Sequence, residues 1–235
     1  MKTSLIPRRS VTNLKVSVIV PCHSSHVARL PELMQALECQ TRIPDEVVIA
    51  VSGCTQDKVP YFTNKIAVTI LHRSNNVSAG ANRNRAAVAA QGDVLICHDA
   101  DDLSHPQRVE IIAGLFEKYE VDHLMHFFYY LKSAFTAFSF DQALSRSSYR
   151  NVISCRNISP KPVPFNSGRK LTQGNVAVMR NIVKRVQWTD CFSAGEDTEF
   201  NREVYKIGKR TVITELPLIT YRRQFSTFTR GISAR

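Results

Sequence analysis

The chain has 235 residues, of which 43% are hydrophobic and 22% are charged. These proportions are typical of a folded protein with a buried core, and they exclude an intrinsically disordered chain. The 31 Lys and Arg residues against 20 Asp and Glu residues give a formal net charge of +11, which favours an anionic partner. Charge alone does not choose among nucleotides, anionic lipid surfaces and nucleic acids, because the basic residues form no continuous run and are not interleaved with aromatic residues.

Hydropathy and cysteine usage favour a cytoplasmic location. The sequence has no run of about 18 apolar residues, the length from which a membrane-spanning helix is considered. Residues 1–13 lack the apolar segment of a secretory signal peptide. The six cysteines are scattered singly without a C-x-x-C pair, which indicates reduced thiols rather than a zinc site or a disulfide framework. We therefore expect a cytoplasmic protein whose contact with membranes is at most peripheral.

Strands and helices alternate in the first half of the chain. Four segments rich in β-branched residues predict buried strands: 15–20, 46–51, 66–71 and 93–98. Helices are predicted at residues 29–40 and 78–91, because apolar residues recur there on one helical face or small helix-forming residues follow a polar cap. Ser78 is the expected N-cap of the second helix and Gly92 its expected C-terminal stop.

A long unpatterned stretch, residues 132–170, interrupts the second half. Before it the pattern predicts a helix at 106–119 and a strand at 123–131, and after it strands at 175–179 and 210–214 and a helix at 196–207. A stretch of that length without a pattern indicates either a functional loop or a poorly ordered one. The whole pattern predicts one α/β domain over residues 1–235, with an open, mostly parallel sheet flanked by helices.

An acidic cluster, Asp99-Ala100-Asp101-Asp102, directly follows the fourth predicted strand. Open α/β sheets bind ligands at the carboxyl ends of their strands. Carboxylates in this place suit a hard cation, since Mg²⁺ and Mn²⁺ use one or two of them together with phosphate oxygens. An Asp-x-Asp pattern is also common at turns. The alternative is therefore a solvated turn in which Asp102 caps the next helix.

Two further charged positions could belong to the same site. Arg83 lies on the helix before the acidic strand, where it could neutralise a diphosphate or bind a base carbonyl, or simply face solvent. Glu196 and Asp197 open a predicted helix, where carboxylates either favour the helix dipole or act in catalysis. The sequence by itself leaves both pairs of alternatives open.

Short motifs follow one another in a fixed order over about residues 15–215. They are Val-Ile-Val-Pro ending at Pro21, Ser52-Gly53, Arg83-Asn84, Ala90-Gln-Gly92, Asp-Ala-Asp-Asp, Gly174-Asn175, Arg180-Asn181 and Gly195-Glu196-Asp197. Their order and spacing resemble the inverting family 2 glycosyltransferases of the GT-A fold. The resemblance implies transfer of one sugar from a nucleotide-diphosphate donor, with a UDP-sugar favoured, to an acceptor hydroxyl.

The resemblance also implies partners and a cofactor. The expected cofactor is Mn²⁺ or Mg²⁺, and the expected acceptor is a glycan, a lipid-linked or a protein-linked molecule, with no nucleic acid. The chain contains no Q-x-x-R-W motif, the mark of processive members, so single-sugar transfer is expected. The implied division is a donor half at residues 15–130, an acceptor half with the catalytic base at 131–221, and a basic tail at 222–235.

The site residues carried over from the family fall into three groups. Those expected at the donor are Pro21, His23, Ser52, Arg83, Asp99, Ala100 and Asp101, with Asp99 and Asp101 also at the metal. Asp197 is the expected general base, and the supporting residues on the acceptor side are Glu196, Asn175 and Trp188, the last of which could instead be core. Ser52 departs from the acidic residue common in the family, so base recognition is expected to be altered or looser.

Other functions remain open at this stage. A nucleotidyltransferase usually has an early Gly-rich phosphate loop, whereas this chain has no glycine between Pro21 and Gly53. A basic nucleic-acid-binding module would bind in a salt-sensitive way without needing Asp101 or Asp197. A third alternative is an inactive domain that only binds a sugar nucleotide. The tail from Arg222 onward is expected either to cover the diphosphate as a lid or to be solvated.

Overall fold

The structure is a computed structural model that describes most of the chain. The described residues are 13–62, 65–130, 141, 145, 153, 158, 160–162, 176–192, 195–207 and 210–222. Of the sequence predictions, Asn175, most of the stretch 132–170 and the tail beyond Arg222 lie outside the described residues.

The first half follows the predicted alternation with small shifts at the ends of elements. Its elements are β1 (Val16–His23), a 3₁₀ helix (Ser24–Arg29), α1 (Leu30–Glu38), β2 (Glu46–Ser52), a short 3₁₀ helix (Gln56–Lys58), β3 (Ala67–Arg73), α2 (Ala79–Ala89) and β4 (Val94–Cys97). Ser78 caps α2 as predicted, because its side chain accepts a hydrogen bond from the Ala81 N–H.

The second half adds shorter strands around the acidic cluster. Its elements are β5 (Leu103–Ser104), α3 (Arg108–Lys118), β6 (His123–Tyr130), β7 (Lys161–Pro162), β8 (Val176–Met179), α4 (Arg180–Val183), α5 (Glu196–Lys206) and β9 (Thr211–Tyr221). β9 is 11 residues long and extends well beyond the predicted strand at 210–214. None of the helices in these described ranges is long and apolar enough to cross a membrane.

The strands form one sheet in the order β3-β2-β1-β4-β8-β6-β9-β5, with β7 paired to β9. The predicted α/β fold with an open sheet is confirmed, and β1 to β4 are parallel throughout. The second half is mixed, because β8 runs antiparallel to both β4 and β6. A short apolar segment indicates a buried strand but not its direction, so the sequence could not show this reversal.

Helices cover both faces of the sheet. Along β1, alternate side chains Val18 and Val20 pack with α1 and α3, whereas Ile19 packs with α2 and α5 on the other face. Residues of a strand point alternately to its two faces, so a strand covered on both sides must be apolar throughout. This packing explains the continuous apolar runs in β1, β2 and β4.

The strand order fixes where a ligand can bind. The chain passes from β1 to β2 and β3 on one side, and then returns to place β4 on the other side of β1. Connections that leave in opposite directions open a crevice at the carboxyl ends of the two strands. In this fold the crevice lies between the end of β1, at His23, and the residues after β4, which are the acidic cluster.

Gly92 has a different role from the predicted helix stop. α2 ends at Ala89, three residues earlier. A Cβ atom on Gly92 would lie 2.5 Å from the Ser17 Oγ and 2.7 Å from the Ser17 backbone nitrogen. The main chain before β4 therefore approaches β1 at a distance that only glycine allows.

We predict opposite effects for alanine at two glycines. Gly92→Ala should lower the free energy of unfolding by about 1–3 kcal/mol, because backbone must move to admit the methyl group. Gly114→Ala in α3 should raise it by up to about 1 kcal/mol, because nothing lies within 4 Å of a Cβ there and alanine favours the helix. Urea denaturation measures both, and equal effects of the two substitutions would contradict the packing described.

Candidate active site

The acidic turn, residues 99–102, is largely buried rather than solvated. The Asp99 side chain is 26% exposed, whereas that of Asp101 is 10% exposed and Asp102 is buried. Asp102 accepts a hydrogen bond from the Arg222 N–H at 3.1 Å, and the N-cap of α3 is Gln107. The alternative of an exposed turn in which Asp102 caps the next helix is therefore wrong.

Arg83 joins the acidic turn to the start of α5. Its Nη2 lies 2.9 Å from the Asp99 Oδ1, and its Nη1 lies 3.0 Å from the Glu196 Oε1. The arginine side chain is only 5% exposed. Burial disfavours its charge, but Asp99 and Glu196 raise the pKa of the guanidinium above its usual value. Arg83, Asp99 and Glu196, all predicted from the sequence to belong to the site, are thus joined through the buried guanidinium of Arg83.

Asp197 follows Glu196 at the N-terminus of α5. The chain enters the helix through Gly195, whose φ of 113° favours glycine. The Asp197 Oδ1 accepts the Thr198 N–H at 2.7 Å. Burial and the neighbouring Glu196 raise the pKa of the Asp197 carboxyl above its ordinary value. A carboxylate with a raised pKa is a stronger base, which suits it to take a proton from a hydroxyl.

Of the first two residues predicted at the donor, His23 has an accessible side chain and Pro21 is buried. His23 is half-buried at the end of β1, and its Nδ1 accepts the Ser25 N–H at 3.2 Å. Burial and the adjacent His26 lower the pKa of His23, so the ring is neutral at pH 7. Pro21 is buried within β1.

Ser52 and Ala100, which the sequence predicted at the donor, are both buried. Ser52 is wholly buried, and its Oγ accepts a hydrogen bond from the Asn82 Nδ2 at 2.9 Å. The Asn82 Oδ1 in turn accepts a hydrogen bond from Arg85 at 2.8 Å. Ala100 packs into the apolar core on the α1 side of the sheet. Asn82, itself 2% exposed, therefore holds the Ser52 hydroxyl in a buried hydrogen bond, a contact that no sequence signal indicated.

Trp188 is a core residue and not a surface for the acceptor. It is 2% exposed and stacks on Phe200 of α5 with ring centroids 4.0 Å apart. Its backbone is held by Asn84, which donates to the Trp188 carbonyl at 2.7 Å and accepts the Trp188 N–H at 3.0 Å. The core alternative is the one that the structure supports, and the stacking fixes the position of α5.

Two residues at the acidic turn were missed at the sequence level. The His26 Nε2 lies 4.0 Å from the Asp101 Oδ2 across the crevice between β1 and β4. Arg222, expected in a lid or a solvated tail, is instead 1% exposed and donates from Nε to the Asp101 carbonyl at 2.5 Å. The sequence His23-Ser24-Ser25-His26 after β1 was a signal for His26, since either histidine of this loop can reach a nucleotide. Arg222 gave none, because only the pairing of β9 with β5 brings it to the turn.

A second buried arginine lies beneath the acidic turn. Arg108 donates from Nη2 to the Cys97 carbonyl at 2.7 Å and from Nε to His126 at 3.2 Å. Burial lowers its pKa to about 10, so it is still charged at pH 7. Burial and Arg108 lower the pKa of His98 to about 3, which keeps this histidine neutral. A fixed positive charge thus underlies the carboxylates of the turn.

The carboxylates of the acidic turn fit a divalent cation that is bound with a diphosphate. Within the described ranges, no three potential ligands converge on one point. Mg²⁺ on a nucleotide needs only one or two protein carboxylates, since phosphate oxygens and water supply the remaining ligands. Asp99 and Asp101 offer that number, and their oxygens are the hard ligands that Mg²⁺ and Mn²⁺ prefer.

Solved structures with this fold cover most of the chain. S. aureus TarS 1–349 in complex with UDP matches with a TM-score of 0.65 and 20% identity, over 88% of this chain and 60% of that one. Glucosyl-3-phosphoglycerate synthase from Mycobacterium tuberculosis, in complex with Mn²⁺, UDP and glucosyl-3-phosphoglycerate, matches with a TM-score of 0.57 and 16% identity, over 89% and 72%. Likeness at these identities shows the fold, which is the GT-A fold of glycosyltransferases.

Sequence comparison then identifies the family. The model of Glycosyl transferase family 2 matches residues 17–179, more than half of the chain, so the protein belongs to this family and is a glycosyltransferase. An uncharacterized glycosyltransferase of Haemophilus influenzae is 31% identical over 104 residues, which are 44% of this chain and 35% of that protein. The chain thus covers about a third of that relative. The family predicted from the motifs is confirmed.

We predict that Arg83 is a main determinant of stability. Arg83→Ala should lower the free energy of unfolding by about 3 kcal/mol or more, because it leaves two partly buried carboxylates facing each other. Lys206→Ala breaks an exposed ion pair with Glu203 and should change it by less than about 1 kcal/mol. Urea denaturation of both variants checks this, and similar losses would show that burial of the Arg83 pairs contributes little.

Proposed function

We propose that the protein transfers one sugar from a nucleotide-diphosphate donor to an acceptor hydroxyl, with a divalent metal and with inversion at the anomeric carbon. The observation that carries the proposal is the convergence of the acidic turn and the Glu196-Asp197 pair on Arg83. The proposal is further supported by the raised pKa of Asp197, the residue after Glu196, and by the position of Asp99 directly after β4, at the crevice between β1 and β4.

On the donor side, Asp99 and Asp101 would hold Mn²⁺ or Mg²⁺. When bound, the metal neutralises charge on the departing nucleoside diphosphate. Arg83 keeps Asp99 in place from the side of α2. His23, with its Nδ1 occupied by a backbone N–H, carries its proton on Nε2 when neutral and can donate it to a base carbonyl. A UDP-sugar is the favoured donor, and a TarS structure with UDP-GlcNAc supports this choice.

On the acceptor side, Asp197 would take the proton of the attacking hydroxyl. Inversion requires one base on the face opposite the leaving group and no covalent intermediate. Glu196 supports Asp197 in two ways, since its charge raises the pKa of Asp197 while its bond to Arg83 fixes the start of α5. The halves at residues 15–130 and 131–221 would then carry the donor and the acceptor, the latter a glycan, a lipid-linked or a protein-linked hydroxyl.

Transfer of single sugars is the proposed mode. The sequence has no Q-x-x-R-W motif of processive members. A mannosyltransferase from Pyrobaculum calidifontis with GDP-Man and Mn²⁺ shares the fold with a TM-score of 0.58, so the fold itself accommodates more than one nucleotide. The nucleotide must therefore be tested rather than assumed.

The donor site is tested by calorimetric titration of UDP, GDP and dTDP with and without Mn²⁺. We expect UDP to bind in a Mn²⁺-dependent way, and Asp101→Asn to weaken that binding by about tenfold or more, because a metal ligand is lost. Glu203→Gln, on the exposed side of α5, is the matched control and should bind as the wild type does.

Failure of every nucleotide to bind the wild-type protein would overturn the proposal. Binding to RNA or DNA that weakens with salt and is insensitive to Asp101→Asn would point instead to a nucleic-acid-binding module. Binding of UDP without any turnover would point to an inactive sugar-nucleotide-binding domain.

The proposed base predicts a specific pH dependence. Asp197 must be deprotonated to act, so kcat/KM should fall with decreasing pH through a pKa above the usual Asp value of 3.8. Glu196→Gln removes a like charge beside Asp197, so this fall, the acid limb of the pH profile, should move to lower pH. Asp197→Asn should lower kcat by about a hundredfold or more with UDP affinity preserved. Hydrolysis of the sugar nucleotide provides the assay, and a limb that does not move in Glu196→Gln would argue against Asp197 as the base.

A further inference from the structure

The last described strand ends beside the acidic turn. β5 follows the turn directly and pairs with the end of β9, with Leu103 opposite Thr220 and Ser104 opposite Ile219. This register carries Arg222 to the turn although 120 residues separate it from Asp102. The position of Arg222 is thus set by the sheet.

Arg222 contacts two different parts of the turn and one neighbouring helix. Its main-chain N–H donates to the Asp102 Oδ1 at 3.1 Å, and its Nε donates to the Asp101 carbonyl at 2.5 Å. Its Nη1 donates to the Glu32 Oε2 of α1 at 2.9 Å. The Arg222 side chain is 1% exposed, and its two bonds to the turn are buried, whereas the bond to Glu32 is partly buried.

These contacts restrain the direction in which Asp101 points. A guanidinium is planar and donates along fixed directions, so bonds from its two ends hold the turn and α1 at a set angle. The Nε bond fixes the peptide plane at Asp101, and the main-chain bond fixes the neighbouring Asp102. Rotation of the main chain at Asp101, which would swing the Cα–Cβ bond of this residue, breaks both.

We propose that Arg222 is a positioning residue of the donor site, which holds Asp101 in the orientation needed to bind the metal of the metal–diphosphate pair. The inference rests on the proposed function and goes beyond it, since Arg222 bonds to the turn and to α1 and would act through Asp101. Arg222 would hold the Asp101 carboxylate in place before the metal binds, as residues that hydrogen-bond to metal ligands generally do.

Arg42, at the opposite end of the strands, is a control with a similar set of bonds, although its side chain is 26% exposed. It also bonds one carboxylate and one backbone carbonyl, from Nη1 to the Glu117 Oε1 at 2.8 Å and from Nη2 to the Leu14 carbonyl at 2.7 Å. Leu14 precedes β1, so this arginine lies at the amino end of β1, away from the crevice. Loss of its bonds should affect stability without affecting the donor site.

The test compares Arg222→Lys, Arg42→Lys and Glu32→Gln by thermal unfolding and by calorimetric titration of UDP over a range of Mn²⁺ concentrations. Arg222→Lys keeps the charge but loses the fixed directions of the bonds. We expect it to raise the Mn²⁺ concentration for half-maximal UDP binding by about tenfold or more. Saturating Mn²⁺ should restore UDP affinity, because Asp101 is misdirected rather than lost.

The other two variants keep the test decisive. Arg42→Lys should leave the Mn²⁺ requirement within about twofold of the wild type, since distant sites act independently. Glu32→Gln weakens the outer anchor of Arg222, together with a long ion pair of Glu32 with the partly exposed Arg29 at 4.0 Å. It should therefore shift the Mn²⁺ requirement in the same direction even if Arg222→Lys does not fold. An unchanged Mn²⁺ requirement in Arg222→Lys and Glu32→Gln, with unfolding temperatures lowered as in Arg42→Lys, would overturn the positioning role while leaving the proposed function intact. A wild-type protein that does not bind UDP with Mn²⁺ would overturn both.

Discussion

The ion pairs of the buried Arg83 guanidinium are the interaction on which the site depends. Asp99 comes from the end of β4 and Glu196 from the start of α5, 97 residues further along the chain by their numbers, yet both bond to one arginine of α2. A buried charge is tolerated only when it is paired and hydrogen-bonded. The pairing therefore forces three elements to meet at one edge of the sheet, and that edge is where the proposed base and cation ligands lie. Packing supports this arrangement, because Trp188 stacks on Phe200 and so holds α5 against the sheet.

Burial sets the electrostatic character of the whole acidic turn. Desolvation raises the pKa of Asp101 and Asp102, and the close carboxylates act in the same direction on both. His26 and Arg222 lower the pKa of Asp101, while the charge of Arg108 is fixed beneath the turn by its bonds to Cys97 and His126. The protein thus places the guanidinium groups of Arg83, Arg108 and Arg222 around the carboxyl groups of the turn before any ligand arrives. Such preorganised charge does not need to reorient during a reaction, which is the usual source of electrostatic stabilisation in enzymes.

Much of the fold and part of the site could be predicted from the sequence, because the signals are local. The strands before the acidic turn, the Ser78 cap and the order of motifs all depend on neighbouring residues, and these predictions are confirmed. The features that were missed depend on contacts between distant segments. The direction of β8, the close approach at Gly92, the buried hydrogen bond of Ser52 with Asn82 and the inward position of Arg222 are set by tertiary pairing, which periodicity does not encode. The roles of Asp101 and Asp197 stay predictions.

The hydrogen bonds of Arg222 to the acidic turn and to α1 have a consequence for the order of folding. Its partners Asp101 and Glu32 lie 121 and 190 residues earlier in the chain. Contacts of such separation close late, because long loops must first lose their conformational freedom. During synthesis the acidic turn leaves the ribosome well before the strand that fastens it. A chain interrupted before β9 therefore carries every carboxylate of the proposed donor site but lacks the arginine that fastens the acidic turn, so the completion of the site is tied to the completion of the sheet.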